Sequence, residues 1–329
     1  MEWLLFIAGL LALAGIYAML SLTLNIDSGF LGLWNLGVAG FLAVGAYTYT
    51  LVTLDQPGTL GLGMPIWVGL LAAAIASGVA GLIVGLPSLR LKKEYLLITT
   101  FAFAEVIRQV ITNEKWLTNG NIGFYGLPKP FESYFSGINY IFFFTVLVLV
   151  ILAIYFWLAQ RLTYSPLGRL MRAIRENESA TLSIGKDIYR TKLKIFILTN
   201  MFVGIVGAIY VWYSSIILPS MFTSTITFTV WTALVIGGIG NNKGAVIGAI
   251  VLIFVQEFTR FFQVSPDMAV VLASLRWVVI GFMLVFVLRF RPQGILSEKI
   301  PSVETRMKLF NGNFSNKGVD FHSKSQSFK

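Results

Sequence analysis

The chain of 329 residues contains no cysteine, which excludes a disulfide framework and any thiolate metal or redox chemistry. Its only histidine, His322, lies in a polar C-terminal stretch, where a solvated side chain is the expected state. Charged residues make up 12% of the sequence and hydrophobic residues 56%, so polar side chains are too few to cover a water-soluble globule of this size. The composition therefore indicates that lipid surrounds most of the chain.

The sequence also lacks the motifs that would give the chain a chemistry of its own. It has no Gly-x-x-x-x-Gly-Lys-Ser/Thr loop, because Gly185-Lys186-Asp187 lacks the leading glycine and the hydroxyl that bind phosphates and magnesium. It has no His-Glu-x-x-His pair, no exposed Gly-x-Ser-x-Gly turn and no carboxylate cluster suited to a metal. Lys194, the second residue of the segment 193–215, is the only lysine within a predicted membrane span, so a self-powered proton relay is poorly supported. We therefore expect no enzyme activity and no cofactor, with energy supplied by a partner.

Long apolar runs dominate the residues that are present. Several approach or exceed the roughly 20 residues that a helix needs to cross a bilayer, and no period-two alternation suggests a barrel. The sequence predicts an all-α fold, a polytopic transmembrane bundle of about eight to ten spanning helices. The nine candidate segments are 3–24, 29–54, 65–86, 94–112, 138–160, 193–215, 224–240, 244–263 and 268–290. Glycines in the second segment and at the end of the seventh indicate broken or re-entrant helices there.

The basic residues indicate how this bundle is oriented. Of the 25 Lys and Arg residues, 20 fall within 90–93, 161–194 and 289–329 or at Lys243, all on one side of the nine-crossing arrangement. Positively charged loops are retained in the cytoplasm, so this side and the C-terminus are predicted to be inside and the N-terminus outside. If one doubtful segment does not cross, the N-terminus moves inside. The net charge of +10 thus reflects topology, and we expect no nucleic-acid partner.

The predicted domain organisation is a transmembrane domain, residues 1–296, followed by a flexible cytoplasmic tail, residues 297–329. The tail is polar with little periodicity. The transmembrane domain includes a cytoplasmic loop at 161–194 and an outer loop at 113–137. Aromatic and proline residues in the outer loop suggest an ordered cover at the membrane interface, which either shields helix ends or contacts a partner.

The cytoplasmic loop interrupts the apolar sequence with a basic, polar stretch. Ser165 and Pro166 suit an N-cap and a first helical position, and Gly185 suits the helix end. Whether a second break interrupts the helix between these ends is left open. Arg172 and Glu176 are four apart and can pair across a turn. The helix either lies on the anionic membrane surface or sits in a groove of a soluble partner. Four apolar residues recur at helical spacing and form a stripe: Leu167, Leu170, Met171 and Ile174. Three arginines lie off this stripe: Arg169, Arg172 and Arg175.

Charged and polar side chains within the predicted spans are further candidates. Glu105 and Arg108 are three apart, as are Glu257 and Arg260, so each pair can meet on one helix face. Either each pair neutralises itself, or Glu105 and Arg108 contribute to an outer vestibule that meets a zwitterionic solute. Six further polar residues lie near or within the predicted spans: Asn25, Asp27, Asn35, Thr99, Thr100 and Asn200. We expect them to form hydrogen bonds between helices, although any of them could line a solute path. Asn35, Thr99 and Thr100 are the candidates for lining the path.

Four stretches, in this order along the chain, resemble a known family. Branched-chain amino acid ABC transporter permeases of the LivM type have an early glycine-rich segment similar to GFLGLWNLGVAGFLAVGAYTYTLV and a helix region similar to LKKEYLLITTFAFAEVIRQVI. Their cytoplasmic loop is similar to SPLGRLMRAIRENESATLSIGKDIYRTKLKIFILT, and their late Gly-Gly-x-Gly turn to LVIGGIGNNKGAVIGAIVL. The resemblance covers roughly residues 20–296. The general importer loop motif, Glu-Ala-Ala followed by Gly, is matched loosely by Glu178, Ser179, Ala180 and Gly185.

The resemblance implies the permease subunit of an ATP-driven importer, embedded in the lipid of a prokaryotic cytoplasmic (inner) membrane. Implied partners are a second, homologous permease forming a heterodimer, two ABC ATPase subunits on the cytoplasmic side and an extracytoplasmic solute-binding protein. The implied cargo is a branched-chain or other hydrophobic amino acid. The family's loop contacts the ATPases, which implies that role here for Ser165, Gly168, Arg169, Arg172, Ala173, Arg175, Glu176, Glu178, Ala180 and Gly185.

Three alternatives remain open at this point. Within the same family, the cargo could be urea or a short amide, because permeases for these solutes have similar sequences. A stand-alone secondary carrier or channel is an alternative of another class. A structural membrane subunit with no pathway of its own is the third.

Overall fold

A computed structural model of the chain describes residues 2–55, 61–91, 93–132, 134, 135, 137–258, 266–291 and 293–298. These residues form a two-stranded ribbon, β1 Phe124–Tyr125 with β2 Ile216–Ile217, and the helices α1 Glu2–Leu24, α2 Val38–Thr53, α3 Ile66–Ser88, α4 Lys93–Asn113, α5 Lys115–Thr118, α6 Ile138–Tyr164, α7 Pro166–Glu176, α8 Glu178–Ser183, α9 Ile188–Ser214, α10 Ser224–Gly237, α11 Asn242–Phe258 and α12 Pro266–Phe290. The chain divides into two compact units, Met1–Ser297 and Glu298–Lys329. Beyond Glu298, the predicted tail lies outside the described residues.

The helices confirm the predicted all-α membrane bundle. In the described part of the chain, six stretches are long and apolar enough to cross a bilayer. Two further apolar helices there are shorter, Val38–Thr53 and Val278–Phe290. The six stretches are Trp3–Phe30, Ile66–Ser88, Glu94–Asn113, Ile138–Tyr164, Ile188–Ser214 and Pro219–Gly237. On α6, Val146, Val150 and Ile154 are exposed at helical spacing, as expected for a helix face that lies against lipid.

The loops gather at two ends of the bundle. At one end, the ribbon joins the α4–α6 connection to the α9–α10 connection, and the Tyr49 hydroxyl donates to the Pro128 carbonyl over 3.2 Å. We call this the ribbon end. At the other, the Tyr189 hydroxyl donates to the Leu86 carbonyl over 2.9 Å, and Asn241 donates to the Ser297 carbonyl over 3.0 Å. This second end carries α7 and α8, and we call it the α7 end.

Small residues allow α2, α3 and α9 to pack closely. A Cβ placed on Gly45 of α2 or on Gly204 of α9 would meet backbone atoms of the neighbouring helix. Gly207 of α9 faces the backbone of Leu42 and Ala46 in the same way. Close approach of backbones at small residues is the usual basis of helix packing in membranes, where lipid competes with any apolar side chain. These three helices therefore form a closely packed unit beside α1.

The second predicted span, 29–54, is broken, as the clustered glycines indicated. α1 continues into a π-helical turn, Asn25–Phe30, and the chain is then irregular from 31 to 37 before α2 begins at Val38. Gly32 adopts a φ of +75°, which glycine tolerates and other residues rarely adopt. The helical part of this span is thus shorter than predicted. Non-helical backbone at membrane depth is stable only where protein or a water-filled cavity satisfies its polar groups.

The loop that the sequence predicts to be cytoplasmic forms two helices, so the prediction of one helix from Ser165 to Gly185 was wrong and the second break is confirmed. Asn177 ends α7 and caps α8, because its side chain accepts a hydrogen bond from the Ala180 N–H over 3.0 Å. The predicted start is confirmed: the Ser165 hydroxyl accepts from the Gly168 N–H over 3.3 Å, with Pro166 in the first turn. Gly185 follows α8 with a φ of +78°.

Candidate functional site

A buried polar cluster surrounds the irregular segment 31–37, which we call the break. The Asp27 carboxylate accepts a hydrogen bond from the Thr199 hydroxyl over 2.7 Å and another from the Asn35 side-chain amide over 3.2 Å. All three residues are buried. Among the described residues no Lys or Arg pairs with Asp27. One carboxylate therefore ties the end of α1 to the break and to α9.

Side chains also satisfy backbone N–H groups at the end of the break and in the first turn of α2, which a helix leaves without partners. The Leu36 N–H donates to the Thr100 hydroxyl over 3.0 Å, and the Ala39 N–H donates to the Thr227 hydroxyl over 3.1 Å. The Gly37 N–H donates to the Asn35 side chain over 2.8 Å. The break is thus held by hydroxyls from α4 and α10. This arrangement supplies the internal hydrogen bonding that irregular backbone requires in a membrane.

The candidate pathway residues divide into two groups. Asn35 and Thr100 meet at the break, and the Asn35 carbonyl also accepts from the Trp231 indole N–H over 2.9 Å. Thr99 instead donates to the Tyr95 carbonyl of its own helix over 2.8 Å. Thr199, Thr227 and Trp231 were missed by sequence analysis, because nothing in their spacing separates them from other residues of an apolar helix. Whether any of these residues contacts a solute stays a prediction.

One side of the break reaches the surface of the chain. Trp34 is 50% exposed, although its neighbours Leu33 and Asn35 are buried. Its ring meets that of Trp231 edge-on, with 6.5 Å between centroids. The exposed rings of Phe101 and Phe228 lie 6.3 Å apart, centroid to centroid. The break is therefore buried against α4, α9 and α10 on one side and accessible at Trp34 on the other.

The loop helix α7 contacts the π-helical turn that leads into the break. An Arg175 guanidinium N–H donates to the Gly29 carbonyl, and the Arg172 guanidinium lies over the Phe30 ring, 5.6 Å from its centroid. Arg172 also donates to the Thr163 carbonyl at the end of α6 over 3.3 Å. The predicted ion pair between Arg172 and Glu176 was wrong, because these contacts direct Arg172 towards the bundle. Both arginines connect the loop to the membrane-spanning part.

Packing fixes α7 against the bundle. Met171 and Ile174 of the predicted stripe are buried, whereas Leu167 stays exposed at the start of the helix. Gly168 is buried against the backbone of Thr163, where a Cβ would collide with the carbonyl group. α7 can therefore fold back onto the end of α6 only with glycine at this position.

Other residues of the loop face outward. Two large apolar side chains were missed by sequence analysis: Leu182 and Ile184 are exposed, Ile184 by 76%. Exposed apolar side chains at the end of a polar loop are typical of a contact with another protein or with lipid. The residues that the family resemblance assigned to ATPase contact and that are exposed are Arg169, Ala173, Glu176, Ala180 and Gly185.

Two further groups of polar contacts connect helices and loops at the α7 end. Asn25 donates through its side-chain amide to the Asn242 side chain over 2.9 Å and accepts from the Gly240 N–H over 2.8 Å. Asn242 in turn donates to the Thr163 hydroxyl over 3.0 Å. On the other side of the loop, Glu178 of α8 pairs with the nearly buried Lys192 of α9 over 2.6 Å. Sequence analysis had not predicted either contact, because the partners are far apart in the chain.

The intramembrane pair predicted on α4 forms. The Arg108 guanidinium binds the Glu105 carboxylate within one helix, and both side chains are partly exposed in the half of α4 nearer the ribbon end. The mutual neutralisation expected from the sequence is thus present. A vestibule role for the pair stays a prediction. Of the second pair, Glu257 is described, whereas Arg260 lies outside the described residues.

A broken membrane helix, held by buried polar side chains and linked to a basic loop, is typical of multi-pass transport proteins. The family model for the branched-chain amino acid transport system permease component matches residues 6–288. The chain belongs to this family. Its matched residues include the break and the whole loop.

Several curated proteins are similar to the chain over most of its length. The high-affinity branched-chain amino acid transport permease LivM of Escherichia coli (strain K12) is 30% identical over 320 residues, covering 90% of this chain and 70% of that protein. The probable LivM permease of Methanocaldococcus jannaschii is 29% identical over 331 residues, covering 89% and 94%. The L-arabinose permease AraH of Escherichia coli (strain K12) is 27% identical over 259 residues, covering 71% and 69%. No solved structure is significantly similar.

Family membership, together with six helices among the described residues that are long and apolar enough to span a bilayer, makes the chain a multi-pass protein of the prokaryotic cytoplasmic membrane. The LivM relatives cover nearly all of the described bundle, so the similarity is not confined to one motif. The name of AraH specifies a sugar as cargo, whereas the names of the LivM proteins specify branched-chain amino acids. Similarity in sequence therefore does not define the cargo by itself.

Proposed function

We propose that the chain is one of two membrane subunits of an ATP-driven importer and forms one side of its translocation path. In this proposal, ATPase subunits bind at the α7 end, which is cytoplasmic, and a solute-binding protein binds at the ribbon end. The observation that carries it is the contact of Arg175 with the Gly29 carbonyl. This contact links a loop outside the membrane to the place where the second predicted span is broken.

The contacts supply a mechanical route from the loop to the path. α7 is held to the π-helical turn by Arg172 and Arg175, so a displacement of α7 moves Gly29 and Phe30. The break follows directly, and Asn35 transmits its position to α10 through Trp231. Segments of this kind, with discontinuous helices near the midplane, form solute sites in many transporters. Alternating access then consists of two positions of the break relative to α4 and α10.

The exposed side of the loop is the proposed ATPase contact. Leu182 and Ile184 provide apolar surface there, and Arg169 provides positive charge. Among the described residues, the basic side chains of 161–194 and Lys243 lie at this end and support its cytoplasmic location, because positively charged loops are retained inside. A groove in each ATPase that accepts α7 and α8 would recognise both features.

The second permease is proposed to cover the surface around Trp34. The break is accessible on this side of the chain, and exposed aromatic rings from α4 and α10 flank it. A path between two subunits needs each of them to present its irregular segment at the shared face. A homologous chain with its own break at the same place would complete the path, and the proposed partner is such a related permease in a heterodimer.

The cargo proposed is a branched-chain or other hydrophobic amino acid. Two relatives with this cargo in their names align along about nine tenths of the chain. In this proposal, a zwitterion entering from outside exchanges ion-pair partners with Glu105 and Arg108, which bind each other near the ribbon end. Urea or a short amide is the alternative within the family, and such a cargo would not require either charge.

The experiment reconstitutes the chain in proteoliposomes with the proposed partners from the same organism: two ATPase subunits, a second permease and a solute-binding protein. We expect uptake of radiolabelled L-leucine that requires ATP and every partner. A stand-alone carrier or channel would instead transport with the purified chain alone, driven by an ion gradient. Gradient-driven uptake without ATPases would contradict the proposal, and ATP-driven uptake of urea but not L-leucine would change the cargo only.

A further inference from the structure

A cavity of about 440 Å³ opens at the α7 end, beside the hydrogen-bonded cluster around the break. It lies between the α3–α4 turn, α8 and the start of α9. Its volume is within the range of about 300–1,000 Å³ that is typical of small-molecule sites. Neither the hydrogen bonds of the break nor the contacts of α7 account for this cavity.

The floor of the cavity is aliphatic. Leu33, Leu89 and Leu96 line it and are all buried, and Leu91 adds a half-exposed side chain at its edge. Leu33 belongs to the break, two residues before Asn35. An aliphatic group on this floor therefore contacts the segment that is proposed to move during transport.

The rim of the cavity carries charges of both signs. Arg90 and Glu94 line it from either side of the α3–α4 turn, and both are exposed. Among the described residues neither has an ion-pair partner, and the Arg90 guanidinium lies over the Tyr189 ring, 5.2 Å from its centroid. Glu178 and Lys192 also line the cavity, but they bind each other. One cation and one anion thus remain available beside an aliphatic floor.

We propose that this cavity binds an aliphatic α-amino acid at the inner end of the path. The carboxylate of the ligand binds the Arg90 guanidinium, its ammonium group binds the Glu94 carboxylate, and its side chain lies on Leu33, Leu89 and Leu96. The inference rests on the proposed function for the cytoplasmic location of the site. It adds a consequence: solute accumulated inside occupies the cavity, holds Leu33 in one position and slows further uptake.

Equilibrium binding to the purified full-length chain in lipid nanodiscs tests the site. The probes are radiolabelled L-leucine, 4-methylpentanoate, which lacks the ammonium group, and 3-methylbutylamine, which lacks the carboxylate. Loss of one charge-assisted hydrogen bond corresponds to about a tenfold weaker Kd. We expect this loss for each analogue with the wild-type chain, and for L-leucine with Arg90→Gln and with Glu94→Gln. The matched control is Lys186→Gln, an exposed cation of the same end that does not line the cavity.

The variants separate this site from the proposed function. If Arg90→Gln and Glu94→Gln bind L-leucine as tightly as the wild-type chain, the inner site is wrong. Preloading proteoliposomes that contain the complete importer with L-leucine should slow ATP-driven uptake, and Arg90→Gln should relieve this inhibition. If ATP-driven uptake occurs but neither variant changes the inhibition, the inference fails while the proposed function stands. If no ATP-driven uptake occurs but binding depends on both charges, the site stands and the proposed function fails.

Discussion

Replacing Asn25 with leucine removes the polar link between the π-helical turn and the α10–α11 connection. Asn25 is fully buried and makes two hydrogen bonds, to the Asn242 side chain at 2.9 Å and from the Gly240 N–H at 2.8 Å. Leucine has a similar size and neither donates nor accepts. The substitution therefore leaves two buried polar groups, the Gly240 N–H and the Asn242 side-chain oxygen, without these partners.

The size of the effect follows from these two groups. A buried polar group left without a partner costs about 1–3 kcal/mol, so two of them predict a loss of about 2–6 kcal/mol in the free energy of unfolding. Hydrogen bonds between membrane helices average nearer 0.6 kcal/mol, because shifted helices find new partners. Such a shift is restricted here, since Gly238 and Gly240 adopt φ angles of +117° and +84° in the tight turn. We therefore expect Asn25→Leu to lose at least about 2 kcal/mol.

The assay is reversible unfolding of the purified chain in mixed micelles, followed by tryptophan fluorescence. Asn200→Leu is the matched control, because Asn200 is also fully buried but donates only to the Phe196 carbonyl of its own helix, and its side-chain oxygen has no partner. That variant should change the free energy of unfolding by less than about 1 kcal/mol. The reasoning is refuted if Asn25→Leu is no less stable than Asn200→Leu.

Two more predictions concern packing and capping. Gly45→Val should abolish assembly of the bundle, because the new side chain meets the Gly204 backbone. Gly9→Val is the control, because a side chain at Gly9 has open space. The yield of monodisperse protein from membranes distinguishes the two variants, and equal yields would contradict the close packing. Ser165→Ala removes the cap of α7 and should destabilise that helix by about 1 kcal/mol, seen as about fivefold faster amide exchange in 166–176; unchanged exchange there would show that the cap is dispensable.

The architecture was predictable from the sequence because each of its signals is local. Apolar length gives the spans, Ser165 and Pro166 give the start of α7, and clustered glycines indicate a broken second span. These features depend on a few neighbouring residues and on the absence of water from the bilayer. For the same reason the pairing of Glu105 with Arg108, three residues apart, was confirmed.

The contacts that make the site were not predictable, because they join residues far apart in the chain. The local rule of four-residue spacing predicted a partner for Arg172 within α7, but the structure directs it to Phe30, more than a hundred residues away. Asp27 and Asn35 were recognised as polar residues in apolar surroundings, whereas their partners Thr199 and Trp231 looked like ordinary helix residues. Asn177, which splits the loop into two helices, has a cap signal that competes with a continuous helical pattern.

The central claim is that force applied to the loop reaches the path through Arg175 and the Gly29 carbonyl. The direct measurement is the number of ATP molecules hydrolysed per solute imported by the reconstituted complex. Arg175→Gln should raise this number about tenfold while hydrolysis continues, because a charge-assisted hydrogen bond is lost. Arg175→Lys, which keeps a charged donor, should restore part of the coupling, and Lys194→Gln, an exposed cation of α9, should leave it unchanged. An unchanged ratio for Arg175→Gln would contradict the account.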